Sequence, residues 1–241
     1  MNEFEKKTFI LGCSFGKDSL ATFLLAMLKN EPLDRIVFAE VMYDNKRNIS
    51  AEHPKQIEWI YEKAIPKIKE FGYDVDIVRA DFDFRELFYR KHVYGKFEGY
   101  IYGYPLEWHC VVNRDLKLKP LRSYYKQFSN IVEYIGIATN EEKRLASIDM
   151  VKRISLLVKY NLDEKDAFEL CRRFDLLSPL YESQERGGCW ICPNRKMSEF
   201  AEFKSLYPGL WNEYVNMGNG CKLCTDKFRF GKTLFEIDSV I

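Results

Sequence analysis

Phe9-Ile10-Leu11-Gly12-Cys13-Ser14-Phe15-Gly16-Lys17-Asp18-Ser19-Leu20-Ala21 is a short apolar run that ends in small and polar residues. Leu20, Ala21, Phe23, Leu24 and Met27 then recur at helical spacing, so the stretch predicts a strand, a tight turn and a helix. Ser14, Gly16, Asp18 and Ser19 would surround the helix N-terminus, where the first backbone N–H groups have no partner within the helix and favour an anion. Gly16 lets backbone approach a phosphate, and Lys17 supplies a point charge. Two other glycine loops are excluded. A Walker A loop needs G-x-x-x-x-G-K-[ST], but Gly12 is one residue too close to Gly16 and Asp18 replaces the hydroxyl residue. The dinucleotide fingerprint G-x-G-x-x-G is absent as well.

Outward from this turn the same grammar repeats. Arg35 to Met42 reads as a buried strand with Glu40, Tyr43 and Asp44 at its carboxyl end. Ser50 and Pro54 mark the entrance of a helix carrying Ile57, Ile60, Ala64 and Ile68, which Gly72 closes. Val75 to Ala80 is a third strand, and Ile131 to Ala138 a fourth, in which Gly136 marks close backbone approach and Thr139 or Asn140 can cap the next helix. Alternating strands and helices predict an α/β fold: a doubly wound, mostly parallel sheet whose ligands collect beyond the strands' carboxyl ends.

Between these elements lie less regular stretches. Phe82 to Trp108 is crowded with aromatics and glycines, and reads as a flap over the sheet rim or as a loop packed on the core. Asn113 to Leu121 starts helical and is expected to yield at Pro120; its cations Arg114, Lys117, Lys119 and Arg122 either face phosphate or form a solvated face. Asp163 to Ala167 starts a short amphipathic helix, and Leu176 to Tyr181 leaves it extended.

The 241 residues suffice for one substantial core and a small appendage. A hydrophobic share of 46% and a charged share of 30% are those of a soluble globular protein. No apolar run approaches a bilayer span, and Met1 to Lys7 lacks a signal-peptide apolar region, so no membrane partner and a cytoplasmic location are expected. Lys and Arg number 37 against 36 acids, a net charge of +1 that gives no global reason to expect nucleic acid, although a local basic face stays open.

Seven cysteines in a cytosolic chain favour metal or redox chemistry where they cluster. Cys189-Trp190-Ile191-Cys192 and Cys221-Lys222-Leu223-Cys224 are C-x2-C knuckles framed by glycines, separated by a helical stretch, Met197 to Tyr214, broken at Pro208-Gly209. Cys189, Cys192, Cys221 and Cys224 match tetrahedral thiolate ligation, with Zn2+ preferred and a 4Fe–4S cluster as the alternative. Cys13 and Cys171 read as buried apolar residues. The predicted division is a nucleotide-binding α/β domain over 1–180 and a Cys-rich helical appendage over 181–241.

The S-x-G-K-D-S turn, the W-x-C segment at Trp108 to Cys110, Leu116-Lys117, Pro120-Leu121, Gly136-Ile137-Ala138 with Asn140-Glu141 and Lys143-Arg144, Ser178-Pro179 and Gly187-Gly188-Cys189-Trp190-Ile191-Cys192-Pro193-Asn194 occur in one order. Together they resemble the phosphoadenosine phosphosulfate reductase family of PP-loop, adenine-nucleotide alpha-hydrolase proteins, over nearly the whole chain. The resemblance implies ATP and Mg2+, with Ser14, Phe15, Gly16, Lys17, Asp18, Ser19, Glu40, Lys117 and Gly136 at the nucleotide and Lys17, Asp18 and Arg144 in catalysis. Its loop keeps Lys17, Asp18 and Ser19, as in relatives that consume ATP, and the terminal E-C-G-x-H segment of the sulfonucleotide reductases is missing. ATP cleavage between the alpha and beta phosphates with transfer of adenylate to a small acceptor is therefore the implied reaction. Sulfonucleotide reduction and non-catalytic nucleotide sensing are the alternatives. His109-Cys110 stands where iron–sulfur relatives carry a cysteine pair, which makes Cys110 a ligand only in the iron–sulfur case. A homodimer is the assembly the resemblance leaves open.

Overall fold

The computed structural model of the protein describes residues 7–107, 110–147 and 152–241. Met1 to Lys6, and Trp108 and His109 of the W-x-C segment, lie outside the described residues. In chain order the elements are β1 (Thr8–Gly12), α1 (Lys17–Leu28), β2 (Arg35–Ala39), β3 (Met42–Asp44), β4 (Ile49–Ser50), α2 (Pro54–Trp59), α3 (Ile65–Glu70), β5 (Val75–Val78) and α4 (Phe84–Phe88). There follow α5 (Lys119–Tyr125), β6 (Ile131–Tyr134), α6 (Glu142–Ala146), β7 (Arg153–Ile154), α7 (Leu156–Lys159), α8 (Glu164–Arg173), α9 (Met197–Leu206), α10 (Pro208–Asn216), β8 (Lys227–Arg229), β9 (Lys232–Thr233) and α11 (Leu234–Asp238). Single π-helical stretches, Ile60–Ala64 and Asn113–Leu118, lead into α3 and α5.

The described residues form two compact units, each gathered from separated stretches. One holds those up to Glu40 with Pro54–Arg79 and Lys119–Gly188; the other holds Val41–His53, Ala80–Leu118 and Cys189–Ile241. The chain passes between them at 40/41, 53/54, 79/80, 118/119 and 188/189.

The first unit contains the predicted α/β sheet. Its five strands are ordered β5-β2-β1-β6-β7, and every neighbouring pair is parallel. Ile10, Leu11, Val37 and Phe38 are fully buried in it, which is why β1 and β2 read as unbroken apolar runs. From β1 the chain builds outward through β2 to β5, then returns to the opposite side of β1 with β6. The order therefore reverses between β1 and β6. In open α/β sheets that reversal opens a crevice at the carboxyl ends of the two strands. α1 packs against α7 and α8, burying Phe23, Leu24, Leu157 and Cys171 in one core. Cys13 and Cys171 are buried, as their isolation in the sequence predicts.

Several expectations change in detail. Met42 does not extend β2: it opens β3, which pairs antiparallel with β4 in the second unit, so Ser50 is a strand residue and the helix begins at Pro54. Pro120 does not end its helix. The widened π-helical stretch just before it relieves the demand for an N–H and for room beside the preceding carbonyls, and α5 runs on through it. Neither Thr139 nor Asn140 caps α6; Glu141 occupies that position without a side-chain cap bond. Leu176 to Tyr181 is extended only as far as Ser178, after which Pro179–Glu182 forms a 3-10 turn. The helix expected to start at Asp163 to Ala167 does so: Asp163 caps α8 with a reciprocal box to Asp166.

The second unit is organised around Trp190. Its indole is fully buried, stacks on Phe203 at 4.8 Å, packs on Tyr43 at 4.7 Å and donates Nε1–H to the Ser50 carbonyl at 3.1 Å. The aromatic stretch is folded back on itself: Tyr102 N donates to Arg90 O and His92 N to Tyr100 O, each at 2.9 Å. Ile101 N then donates to Lys222 O at 2.9 Å and Cys224 N to Ile101 O at 3.1 Å, so the second knuckle is backbone-paired to this loop. No helix among the described residues is long and apolar enough to cross a membrane.

Candidate functional site

The turn between β1 and α1 sits at the reversal point of the sheet, within the first unit. Phe15 makes it possible. Its backbone is left-handed, φ +56°, which an L side chain adopts only where its surroundings hold it. Here the ring is fully buried edge-on against Phe38 at 5.1 Å, and the Phe15 carbonyl accepts from Gln56 Nε2 at 3.1 Å. Ser178 Oγ donates to the Gln56 amide oxygen, which gives the Ser178-Pro179 segment a role in shaping the turn. Gln56→Ala is expected to lower stability by about 1–2 kcal/mol, because it leaves a buried carbonyl and a buried hydroxyl without that partner. An unchanged urea midpoint would show that packing of Phe15 alone holds the turn.

Past Phe15 the chain enters α1 at Gly16, which has no side-chain cap. Ser19 Oγ donates to Gly16 O at 3.0 Å and lies 3.3 Å from Ser14 Oγ, so the two hydroxyls flank the helix start. Lys17 N donates to Tyr181 Oη at 2.9 Å. On the other side the chain after β6 closes in: a Cβ on Gly136 would lie 2.7 Å from the carbonyl carbon of Asp18 and from the nitrogen of Ser19. Only glycine lets the β6 exit press this closely on the first turn of α1. The close approach read at Gly136 is thus an approach to the turn itself.

Lys17 is held by two carboxylates, Asp18 at 3.1 Å and Glu164 at 2.7 Å. Burial alone would lower its pKa, but the Glu164 hydrogen bond and the Asp18 charge outweigh it and hold the ammonium above its ordinary value. Burial pushes the Asp18 carboxyl up, against the pull of Lys17, and the charges of Glu141 and Glu164 add to the rise. Glu164 itself is lowered, chiefly by its bond from Lys17. Lys17 and Glu164, with Phe168 of α8, line a cavity of about 520 Å3, within the range of small-molecule sites. Arg144 of α6 ion-pairs with Glu141, the residue at that helix's N-cap position.

The other predicted residues are placed differently. Glu40 is 2% exposed and committed to Arg79 at 2.7 Å and to the Tyr61 hydroxyl at 2.6 Å. Lys117 belongs to the second unit, where its Nζ lies 3.7 Å from buried Glu52. Burial, followed by the Glu52 charge, pushes the Cys189 thiol up, with Cys192 and Cys110 among the neighbours that act on it. Cys221 instead acts on Tyr89 and Tyr104, and its Sγ points to the Met217 carbonyl at 3.7 Å. Among the described residues no group of three or more His, Cys, Asp or Glu side chains is set to hold a metal ion. Glu164, Gln56 and Tyr181 were not foreseen. Glu164 follows the Asp163 cap and reads from sequence as first-turn helix charge; nothing local marks it as the partner of Lys17.

No protein-family model matches the chain. Among curated proteins, the chain is 24% identical over 230 residues to an uncharacterized protein of Methanocaldococcus jannaschii, covering 90% of this chain and 43% of that protein. The chain thus spans less than half the length of the curated relative it matches.

Proposed function

We propose that the protein binds ATP in the Cys13 to Ser19 turn and cleaves it between the alpha and beta phosphates, transferring adenylate to a small acceptor. The observation that carries this reading is the start of α1 at the sheet's reversal point, where Gly16 brings no capping side chain, flanked by the Ser14 and Ser19 hydroxyls and backed by Gly136. The sheet order 3-2-1-4-5, counted along the chain, is consistent with the adenine-nucleotide alpha-hydrolase fold that the S-x-G-K-D-S turn resembles.

In this reading an acceptor oxyanion or carboxylate attacks the alpha phosphorus in line, the bond to the bridging oxygen breaks, and pyrophosphate leaves with the electron pair. No general base is required of the protein, whose work is positioning and neutralising charge. The helix-start amides and Ser14 and Ser19 hold the leaving pyrophosphate, and Lys17 and Arg144 balance its charge. Lys17 must exchange Glu164 for phosphate to do so. Asp18 would hold Mg2+; its carboxylate already accommodates a cation, the Lys17 ammonium, and one carboxylate suffices where phosphates supply other ligands.

A second reading, sulfonucleotide reduction, draws support from Cys110 lying near the first knuckle rather than from the phosphate turn. Incubation with ATP and Mg2+ across a panel of carboxylate and oxyanion acceptors is expected to yield one pyrophosphate per adenylate transferred. Sulfite from a sulfonucleotide and reduced thiol would establish the second reading instead. Tight ATP binding with neither product would make the turn a sensor.

A further inference from the structure

We propose that the second unit carries a binding surface for single-stranded nucleic acid, formed by the 90–100 loop and the 222–232 segment. The net charge of +1 hides it because that balance is averaged over the chain. Locally, Arg90, Lys91 and Lys96 stand against the single acid Glu98, and four cations between Lys222 and Lys232 stand against Asp226 alone. The backbone bonds of Ile101 to Lys222 and Cys224 fix the two segments side by side.

Aromatic rings accompany these cations in the manner a nucleic-acid strand requires. Tyr94 is 81% exposed, Phe230 72% and Phe97 38%. Both carriers are tight, glycine-dependent turns: Gly95 and Gly99 have φ of +82° and +78°, and Gly231 at the β8–β9 turn has +72°. Each turn holds its rings out against the hydrophobic cost of exposure. Lys222 Nζ lies 4.1 Å from the Tyr100 ring centroid and the Arg229 guanidinium 4.4 Å from that of Phe230, so charge and π face are presented together. Arg229 has a further mark of a waiting ligand. Its Nε and Nη1 are buried with no hydrogen-bond partner, and the Glu107 carboxylate, its ion-pair partner, stays 3.7 Å from Nε.

Bases offer π faces to exposed rings, and phosphates offer oxygens to the interleaved cations; single-strand binding combines these two contacts without reading sequence. A duplex keeps its bases stacked and leaves the rings unused. An anionic membrane shares the charge but is usually met by the broad aliphatic face of an amphipathic helix. Here Val93 is the exposed aliphatic residue of the loop, and the elements are a loop and a two-stranded turn. The proposal does not depend on what the phosphate turn of the first unit binds.

Fluorescence anisotropy of labelled oligouridylate, oligothymidylate and a duplex, with the full chain, tests it. Single strands are expected to bind more tightly than duplex, with affinity falling as salt rises. Tyr94→Ala and Phe230→Ala should each weaken binding about tenfold, and Lys222→Glu should reduce the salt slope by about one. These side chains are exposed, so an unchanged melting temperature will accompany the loss. Preference for oligouridylate identifies RNA as the source and preference for oligothymidylate DNA, and either upholds the proposal. Failure to bind single strands at low salt, tighter binding of duplex, indifference to all three substitutions, or binding of phosphatidylserine vesicles in place of oligonucleotides would overturn it.

Discussion

Trp190→Ala is expected to lower stability by about 3–5 kcal/mol, enough to leave the second unit marginal. The indole is the residue on which that unit's core converges. It stacks flat on Phe203 with an interplanar angle of 9°, meets Tyr43 and Tyr214, and closes a hydrogen bond to Ser50. Removing it opens a cavity lined by rings held from several sides, which collapse poorly, and strands the Ser50 carbonyl. Trp190→Phe is expected to restore much of the packing but not the bond, with a cost about 2–3 kcal/mol smaller than that of alanine. Urea unfolding followed by tyrosine fluorescence and by far-UV circular dichroism measures both. A shift under 1 kcal/mol for alanine would mean that Trp190 is not the keystone its contacts make it.

Gly136→Ala is expected to lower stability by about 1–3 kcal/mol and, on the ATP reading, to weaken nucleotide binding at least about tenfold. The added methyl would meet backbone atoms, not the end of a flexible side chain, so either the β6 exit or the first turn of α1 must shift. That shift moves the amides of Asp18 and Ser19, the groups assigned to phosphate. Gly209→Ala is the control, since nothing lies within 4 Å of its added carbon. Isothermal titration with ATP beside thermal melts separates the two effects: loss of stability with full ATP affinity would detach the turn from nucleotide binding.

The first unit was legible because its signals are local. Ile10 and Leu11 in β1 and Ile36 to Ala39 in β2 are buried in a parallel sheet and so read as apolar runs, and the turn that follows β1 carries its own polar residues. Strand ends were less legible. Met42 is as apolar as Val37, and nothing in composition says that the chain leaves one sheet at Glu40 and joins another. β7, two residues long, was missed because its partner sets it, not its own pattern. Pro120 misled because the π-helical turn that accommodates it has no sequence mark.

At the site, residue types were readable and partnerships were not. Glu40 sits at the expected strand end, yet burial beside Arg79 spends its charge internally. Lys17 was foreseen as a phosphate ligand, but its present partner Glu164 is 147 residues away in sequence. Spacing groups Cys189 and Cys192 with Cys221 and Cys224, but it carries no sign of Glu52, Lys117 and Cys110, whose charges act on Cys189 in the folded chain. Regular C-x2-C spacing describes two turns; it does not say which turns face each other.

The five passages of the chain between its two units have a consequence for synthesis. When the chain has been made as far as Gly188, every stretch of the first unit has been synthesised, while the second possesses only Val41–His53 and Ala80–Leu118. Tyr43, Phe84 and Phe88, all fully buried in the finished protein, then wait for Trp190, Phe203 and Tyr214 to arrive. Such delayed apolar surface is what chaperones hold and what aggregates at high expression. Slower elongation over the last stretch would prolong that exposure, and a fragment ending near 180 would make it permanent.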